Sequence, residues 1–221
     1  MSFVVENAPL ILQGLSLTIE ITLFGVFLGL GLGTLLAIGD IYGGKVAKGA
    51  IAVYVEFFRG SPLFVQLFIA VYAVPALLHI QIDHLFMAFL LFGLNSAGYQ
   101  KGYIKGAMQT ILDDQMVAGL SVGMSKVQTL RHVILPQAYR IVIPSWTNEF
   151  CSLTKSTSIL AYIGFIDLTG AGISIIRETY NVLPVWIVIG AIYLIWITCF
   201  AKLADMIYEK KKIPGVELMM Q

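Results

Sequence analysis

The sequence predicts an all-α integral membrane protein with about five transmembrane helices, organised as a single domain over residues 1–221. Of the 221 residues, 58% are hydrophobic and 12% are charged, and the mean hydropathy is +0.85. Soluble domains carry about 25% charged residues. Long apolar stretches also recur along the chain, and about 20 apolar residues are enough for one helical span. This composition therefore excludes an ordinary soluble domain.

Five apolar segments are long enough to cross a membrane, at about residues 9–38, 50–78, 85–105, 138–163 and 184–207. The first contains one charged residue, Glu20, near its start, where interfacial water can hydrate the carboxylate. The fourth mixes apolar residues with hydroxyl, amide and charged side chains. We therefore expect the fourth segment in the middle of the helix bundle or along a polar path, rather than facing lipid.

The positive charges predict which side of the membrane each connection faces. Lys and Arg are frequent in the segments 40–48, 101–140 and 209–212, and they are absent from residues 1–8 and 79–84. Cytoplasmic connections of membrane proteins carry an excess of Lys and Arg. We therefore expect the N-terminus outside and the C-terminus inside.

Two ionisable residues next to a predicted helix break mark the second segment. Glu56 and Arg59 are three positions apart, so they share a helix face and can pair. The sequence Gly60-Ser61-Pro62 follows, and glycine and proline break or kink helices. Backbone groups freed inside a membrane must bond to protein or line a wet cavity. The pair therefore either meets a polar ligand or stabilises the bend as a neutral ion pair.

A second polar group lies at the end of the fourth segment. Glu149 and Lys155 are six positions apart and therefore on different helix faces, which argues against a simple internal pair. Lys155 must then find a partner elsewhere or bind a ligand. The alternative is a structural lysine whose ammonium group reaches the membrane interface.

The long polar stretch at residues 115–136 is too costly to bury at the bilayer centre and is expected in water. It predicts a helix, a glycine turn at Gly123 and a second short helix that Pro136 closes. Ser125 and Gln128 fit a capping box, in which each side chain bonds the backbone N–H of the other residue. Such an element on the aqueous side of a membrane protein is typical of a docking element. An ordinary folded loop is the alternative.

Several function classes lack support in the sequence. The basic residues are scattered, which argues against a nucleic-acid partner. The two cysteines have no second ligand at a suitable spacing, so no metal site is expected. We also find no phosphate-binding loop of the G-x4-G-K-[ST] type and no nucleophile, base and metal set. The chain is therefore not expected to be an enzyme or to bind a cofactor itself.

The motifs together resemble the permease subunits of bacterial ABC importers. Val117-Ala118-Gly119, then Gly123, then nine residues to Val133-Ile134-Leu135-Pro136 is similar to their EAA loop, E-A-A-x3-G-x9-I-x-L-P. Further matches to the polar amino-acid permeases of the histidine, glutamine and arginine type extend the resemblance over about residues 15–208. These are Glu56 to Pro62 with Gln66, Leu94 to Tyr99, Lys105-Gly106-Ala107, Leu135 to Ala138, and Lys155-Ser156-Thr157-Ser158.

The resemblance implies a subunit of an ATP-driven importer in the bacterial inner membrane. Its expected partners are two cytoplasmic ABC ATPase subunits that hold the ATP and Mg, a second permease subunit, identical or not, and a periplasmic or lipid-anchored amino-acid-binding protein. A cytoplasmic coupling loop is expected over about residues 108–136. The residues expected to contact the ATPase are Gln115, Val117, Ala118, Gly119, Gly123, Ser125, Leu135 and Pro136. Those expected along the substrate path are Glu56, Arg59, Lys155, Ser156 and Thr157.

Three departures from the family pattern concern the coupling loop and the helix before it. Val117 stands where the family has the glutamate of the EAA motif, and Gly119 replaces the second alanine. One polar contact with the ATPase is therefore missing. Lys105 replaces the arginine of an R-G-A/G motif, which keeps the charge and loses the planar fork of donors.

A fourth departure concerns the substrate. Ser156 stands where many relatives have the aspartate of K-D-T-S. The K-S-T-S form most resembles arginine and histidine permeases, which favours a cationic amino acid. We expect Glu56 to contact its amino or guanidinium group and Lys155 its α-carboxylate. An ion-gradient-driven secondary transporter or a channel subunit is the alternative, although the chain is short for two inverted halves and shows no internal repeat.

Overall fold

The computed structural model describes residues 6–212, and in that range it contains helices and no strand. The predicted all-α class is therefore confirmed. Residues 1–5, part of the predicted outer N-terminus, and residues 213–221 lie outside the described range. The α-helices are α1 Ala8–Tyr42, α2 Lys45–Gly60, α3 Leu63–Phe68, α4 Val74–Leu78, α5 His84–Ser121, α6 Lys126–Thr129, α7 Leu135–Ser156, α8 Leu168–Thr179 and α9 Val182–Lys211. Two π-helical segments, Ile69–Ala73 and Leu130–Ile134, and a 3-10 helix, Thr157–Ile163, join some of them.

Among the described residues, two to four candidate spans satisfy the length and composition of a membrane helix. The two unbroken ones are α1 and α9. The other two are bent: α2 meets the segment Leu63–Leu78 at 104°, and the segment Lys126–Ile163 meets α8 at 45°. The predicted third span forms the first part of α5. The number of five spans and their orientation stay predictions.

The bundle is held together by close contact between α1 and α5. A Cβ atom on Gly33 would lie 3.0 Å from the backbone nitrogen of Lys101, so the two helices approach almost backbone to backbone. Small residues permit such packing in membranes, where dispersion contacts rather than water exclusion bring helices together. Beyond the glycines, fully buried Ile21, Phe92 and Phe150 belong to one apolar core. This core places α7 beside α5.

The predicted helix break after α2 is confirmed, and two buried amides satisfy the backbone groups that it frees. Pro62 follows the end of α2 in an extended conformation. The Gln66 Nε2 group donates to the carbonyls of Phe58 and Ser61, at 3.1 and 3.0 Å. Asn95 Nδ2 on α5 also donates to the Phe58 carbonyl, at 3.0 Å. Because unpaired carbonyls are costly in lipid, these bonds allow the sharp bend.

The turn of the coupling loop also agrees with its prediction. Gly123 has φ +84°, and the next helix, α6, begins at Lys126 with Ser125 as its N-cap. Ser125 Oγ accepts from the Gln128 backbone N–H at 3.2 Å, and Gln128 Oε1 accepts from the Ser125 N–H at 2.7 Å. A Cβ atom on Gly119 would lie 2.5 Å from the side chain of Thr129. Only glycine therefore fits between the end of α5 and the short helix α6.

The prediction that Pro136 closes the second helix is wrong. Helical structure continues over Lys126–Ile163, and Pro136 lies in the first turn of α7. The π-helical segment Leu130–Ile134 precedes it, and there the N–H of Leu135 donates to the carbonyl of Leu130, five positions back. This wider turn changes the carbonyl pairing just before the proline, which lacks an N–H and clashes with a regular preceding turn.

Candidate functional site

A cavity of about 300 Å³ lies between α5, α7 and the break after α2. Its walls carry amide, hydroxyl, phenol and carboxylate groups, which is unusual inside an apolar bundle. We call it the central cavity. It is lined by Ser61, Leu63, Asn95, Tyr99, Tyr103, Asn148, Glu149, Ser152, Leu153 and Ser156.

Helical periodicity explains how these side chains meet. Asn95, Tyr99 and Tyr103 follow one another at intervals of four on α5, so they form one stripe on its surface. Asn148, Ser152 and Ser156 repeat the same interval on α7. The two polar stripes face each other across the cavity. The break after α2 contributes the remaining wall.

Glu149 is the acidic group of the central cavity. The residue is 5% exposed, and its Oε1 accepts a 2.7 Å hydrogen bond from Ser96 Oγ. Within residues 6–212, the ion pairs join Asp40 to two lysines of α5 and Glu209 to a lysine at the end of α9. None of them includes Glu149. A buried carboxylate is costly unless a proton or a cation compensates it, and the Arg59 guanidinium is close enough for its charge to act on Glu149 without forming an ion pair.

Arg59 and Glu56, which the sequence allowed to pair, do not form an ion pair in the described part of the chain. The Arg59 guanidinium instead lies over the ring of Tyr99, with its carbon 5.2 Å from the ring centroid. Arg59 therefore contacts a wall residue of the central cavity. Glu56 is exposed in a separate shallow recess, which shares Ser61 with the central cavity. The pairing failed because stacking on the tyrosine directs the guanidinium toward α5.

The three other predicted substrate-path residues occupy different environments. Ser156 lines the central cavity. Lys155, the preceding residue, is exposed and is not part of the cavity wall. Thr157 is fully buried and donates to the Thr154 carbonyl at 2.9 Å. The structure thus brings Ser156 to the cavity but does not bring Glu56, Arg59 or Lys155 into its wall.

Sequence reasoning missed the assignment of Glu149 and the two tyrosines to the site. The signal was present as polar residues at intervals of four in two predicted spans, one containing an acidic residue. It was overlooked because Glu149 was compared only with Lys155 on its own helix. Its actual hydrogen-bond partner, Ser96, is 53 positions away.

The coupling loop presents an exposed apolar surface at the opposite end of α5 from His84. Val117 is 65% exposed and Val122 is 77% exposed. The patch, called the apolar docking patch below, comprises Val117, Leu120, Val122 and Val127. Large apolar side chains exposed within one short segment favour a protein contact there.

The remaining predicted coupling residues surround this patch or support it. Ala118, Gly123, Ser125 and Pro136 are exposed. Gly119 is buried, and Gln115 and Leu135 are half-buried. Gln115 Oε1 accepts from Gln137 Nε2 at 3.2 Å, which links the end of α5 to the start of α7.

The chain matches a known family of transport proteins. A family model described as a binding-protein-dependent transport system inner membrane component matches residues 29–212. The chain belongs to this family. It is an ABC permease component, and its apolar helices agree with a multi-pass membrane protein.

Similar permeases serve transport systems for different amino acids. The glutamine transport system permease protein GlnP of Escherichia coli (strain K12) is 33% identical over 188 residues, which cover 85% of this chain and 86% of the relative. The arginine transport system permease protein ArtQ of Bacillus subtilis (strain 168) is 30% identical over 211 residues, 96% of each chain. A crystal structure of an amino acid ABC transporter with histidines matches with a TM-score of 0.84 and 30% identity, covering 93% of this permease and 96% of that chain.

Proposed function

We propose that this permease is the membrane subunit of an ATP-driven importer that moves a polar amino acid across the bacterial inner membrane, with the central cavity on the substrate path. The observation that carries this proposal is Glu149, a buried carboxylate that faces a polar cavity and forms no ion pair within the described residues. The cavity volume of about 300 Å³ falls at the small end of ligand pockets, as expected for an amino acid. The similar glutamine and arginine permeases support the substrate class.

The chemistry of the cavity favours a cationic amino acid of the arginine, histidine or lysine type. Glu149 attracts an ammonium or guanidinium group, and the ring of Tyr103 offers further attraction to a cation, whereas the ring of Tyr99 already contacts the Arg59 guanidinium. Asn148 provides an amide donor for a carboxylate, whereas the Asn95 amide nitrogen already donates to Phe58 and Gln66. The earlier assignment of Glu56 and Lys155 to these two roles stays a prediction, and the experiment below distinguishes it from Glu149.

The test compares two carboxylates that differ in burial. Glu149→Gln and Glu56→Gln are each assembled with the cognate ATPase and permease subunits and reconstituted into vesicles with the binding protein. We expect Glu149→Gln to lower L-arginine uptake by about tenfold or more, because one charge-assisted hydrogen bond in a dry site contributes about 1.5–3 kcal/mol. Glu56→Gln, the matched exposed control, should change uptake by less than about twofold. Normal uptake by Glu149→Gln would exclude the central cavity as the cation site, and a selective loss in Glu56→Gln would restore the earlier assignment.

The coupling loop is proposed as the docking site for the ATPase. The apolar docking patch supports a largely apolar contact, which compensates for the missing glutamate at Val117. ATP and Mg are held by two cytoplasmic ATPase subunits, since the chain contains no phosphate-binding loop. A second permease and a periplasmic or lipid-anchored binding protein complete the proposed assembly. Uptake that persists without ATP would instead support the ion-gradient or channel alternative.

A further inference from the structure

A chain of hydrogen bonds runs from α1 through α5 to the carboxylate of the central cavity. Gln100 is 0% exposed, and its Nε2 donates to the Val26 carbonyl at 2.8 Å and to Ser96 Oγ at 3.0 Å. Ser96 Oγ in turn donates to Glu149 Oε1 at 2.7 Å. Three helices therefore determine the position of one carboxylate.

Gln100 holds its end of this chain through its amide nitrogen. The Val26 carbonyl can only accept, so the Gln100 amide must turn its N–H groups toward it. The opposite amide orientation would place the Gln100 amide oxygen against the Val26 carbonyl oxygen, two acceptors with no hydrogen between them. Gln100 Oε1 has no hydrogen-bond partner in the part of the chain that is described, so the nitrogen is the group that holds this side chain.

Ser96 links Gln100 to Glu149, because its Oγ forms a hydrogen bond with each of them. Ser96 Oγ accepts from the Gln100 amide, and its own hydroxyl hydrogen is then free for Glu149. The hydroxyl therefore meets the carboxylate as a donor. The Ser96 hydroxyl therefore fixes the position of the Glu149 carboxyl oxygen that it contacts.

Gly29 on α1 leaves room for the chain of hydrogen bonds. A Cβ atom on Gly29 would lie 2.7 Å from Gln100 Nε2 and 2.8 Å from Ser96 Oγ. These distances are too short for any side chain larger than hydrogen. Gly29 on α1 thus permits the two polar side chains to meet in the dry interior of the bundle.

We propose that Gln100 is a positioning residue for substrate recognition, acting through Ser96 to hold the Glu149 carboxyl group where it meets the cationic group of the amino acid. The proposal rests on the proposed function of Glu149. Gln100 is not part of the cavity wall, so it contacts no substrate. Its effect on binding must therefore pass through Glu149.

A double-mutant cycle tests this transmission. The variants are Gln100→Met, which keeps the side-chain length and removes both donors, Glu149→Gln, and the two combined. L-arginine binding is measured by calorimetry on the transporter purified with its partner subunits. We expect Gln100→Met to raise the Kd for L-arginine about five- to tenfold and to leave ATP turnover at saturating L-arginine unchanged, since the defect lies in binding. In the Glu149→Gln background, Gln100→Met should add less than about twofold.

Two further variants separate transmission from a general packing defect. Ser96→Ala breaks the same chain and should raise the Kd as much as Gln100→Met. Thr154→Val removes a buried hydroxyl of α7 that donates to the Phe150 carbonyl and does not contact Glu149, so it should leave the Kd unchanged. The proposal would be overturned if Gln100→Met raised the Kd for L-arginine by the same factor in the parent and in the Glu149→Gln background. An unchanged Kd in both Gln100→Met and Ser96→Ala would also overturn it.

The outcomes also distinguish this proposal from the proposed function. If Glu149→Gln abolishes L-arginine binding while Gln100→Met does not alter it, the site stands and the positioning role is wrong. If Glu149→Gln itself binds L-arginine normally, both proposals are wrong.

Discussion

The coupling loop and the central cavity are built from contacts of very different range along the chain. The capping box of the coupling loop joins Ser125 to Gln128, and its turn depends on Gly123 alone. The cavity combines the break near Ser61 with residues of α5 and α7 up to Ser156. Local contacts form independently of the rest of the fold, whereas the cavity exists only after three helices have packed. The effects of substitutions in the two regions should therefore differ in size and in how far they extend from the substituted residue.

The largest expected effect is that of Gln66→Leu at the break after α2. It removes the amide N–H groups that donate to the Phe58 and Ser61 carbonyls, and it removes the amide oxygen that accepts from Asn95. Each buried polar group left unpaired costs about 1–3 kcal/mol, so we expect a loss of about 3 kcal/mol. Thermal unfolding of the purified transporter in detergent measures it, and uptake should fall as well because the cavity wall shifts. A midpoint equal to that of the parent would show that the break is stable without these bonds.

Gly119→Ala should have the next largest effect, because the new methyl group meets Thr129 at 2.5 Å. Forcing an extra methyl into a packed contact costs about 1–3 kcal/mol. We expect the fraction of ATPase subunit that co-purifies with the permease to fall, while L-arginine binding in the central cavity is kept. Thr129→Ala removes the two nearest atoms, so Gly119→Ala combined with Thr129→Ala should regain most of the lost association. Failure of this rescue would contradict the steric explanation.

Gly123→Ala tests backbone conformation without steric contact, since nothing lies within 4 Å of a Cβ atom there. Its φ of +84° costs a residue with a side chain about 1–2 kcal/mol. We expect reduced stimulation of ATP hydrolysis by the loaded binding protein, and a smaller reduction for Gly123→Asn, since asparagine tolerates positive φ. Gly106→Ala is the matched control: this exposed helical glycine also has open space, and alanine there should be neutral or stabilising. Equal effects at both glycines would reject the conformational argument.

Ser125→Ala should have the smallest and most local effect. It removes the acceptor of the Gln128 backbone N–H and leaves that N–H exposed to water. N-cap substitutions of this kind cost about 1 kcal/mol. Hydrogen exchange should increase at the first turn of α6 and remain unchanged around Glu149. Increased hydrogen exchange at the central cavity would show that the coupling loop and the cavity are not independent of each other.

The limits of prediction follow the same division between local and distant contacts. The break at Gly60-Ser61-Pro62 and the cap at Ser125 were predicted correctly because proline chemistry and capping depend on adjacent residues. Pro136 was predicted wrongly because a π-helical turn, which has no clear sequence signature, lets the helix continue. The pairing of Glu56 with Arg59 was wrong because Tyr99, 40 positions from the arginine, competes for it.

By itself, the sequence determined the helical membrane class, the break after α2, the turn and cap of the coupling loop, and the resemblance to the permease family. Apolar length, proline and glycine chemistry and motif spacing are all properties of neighbouring residues. Tertiary structure alone decided that Glu149 faces a cavity with Tyr99 and Ser156, and that Gln100 reaches it through Ser96. The physical reason is that periodicity specifies the face of a helix on which a side chain lies, whereas packing specifies what that face meets.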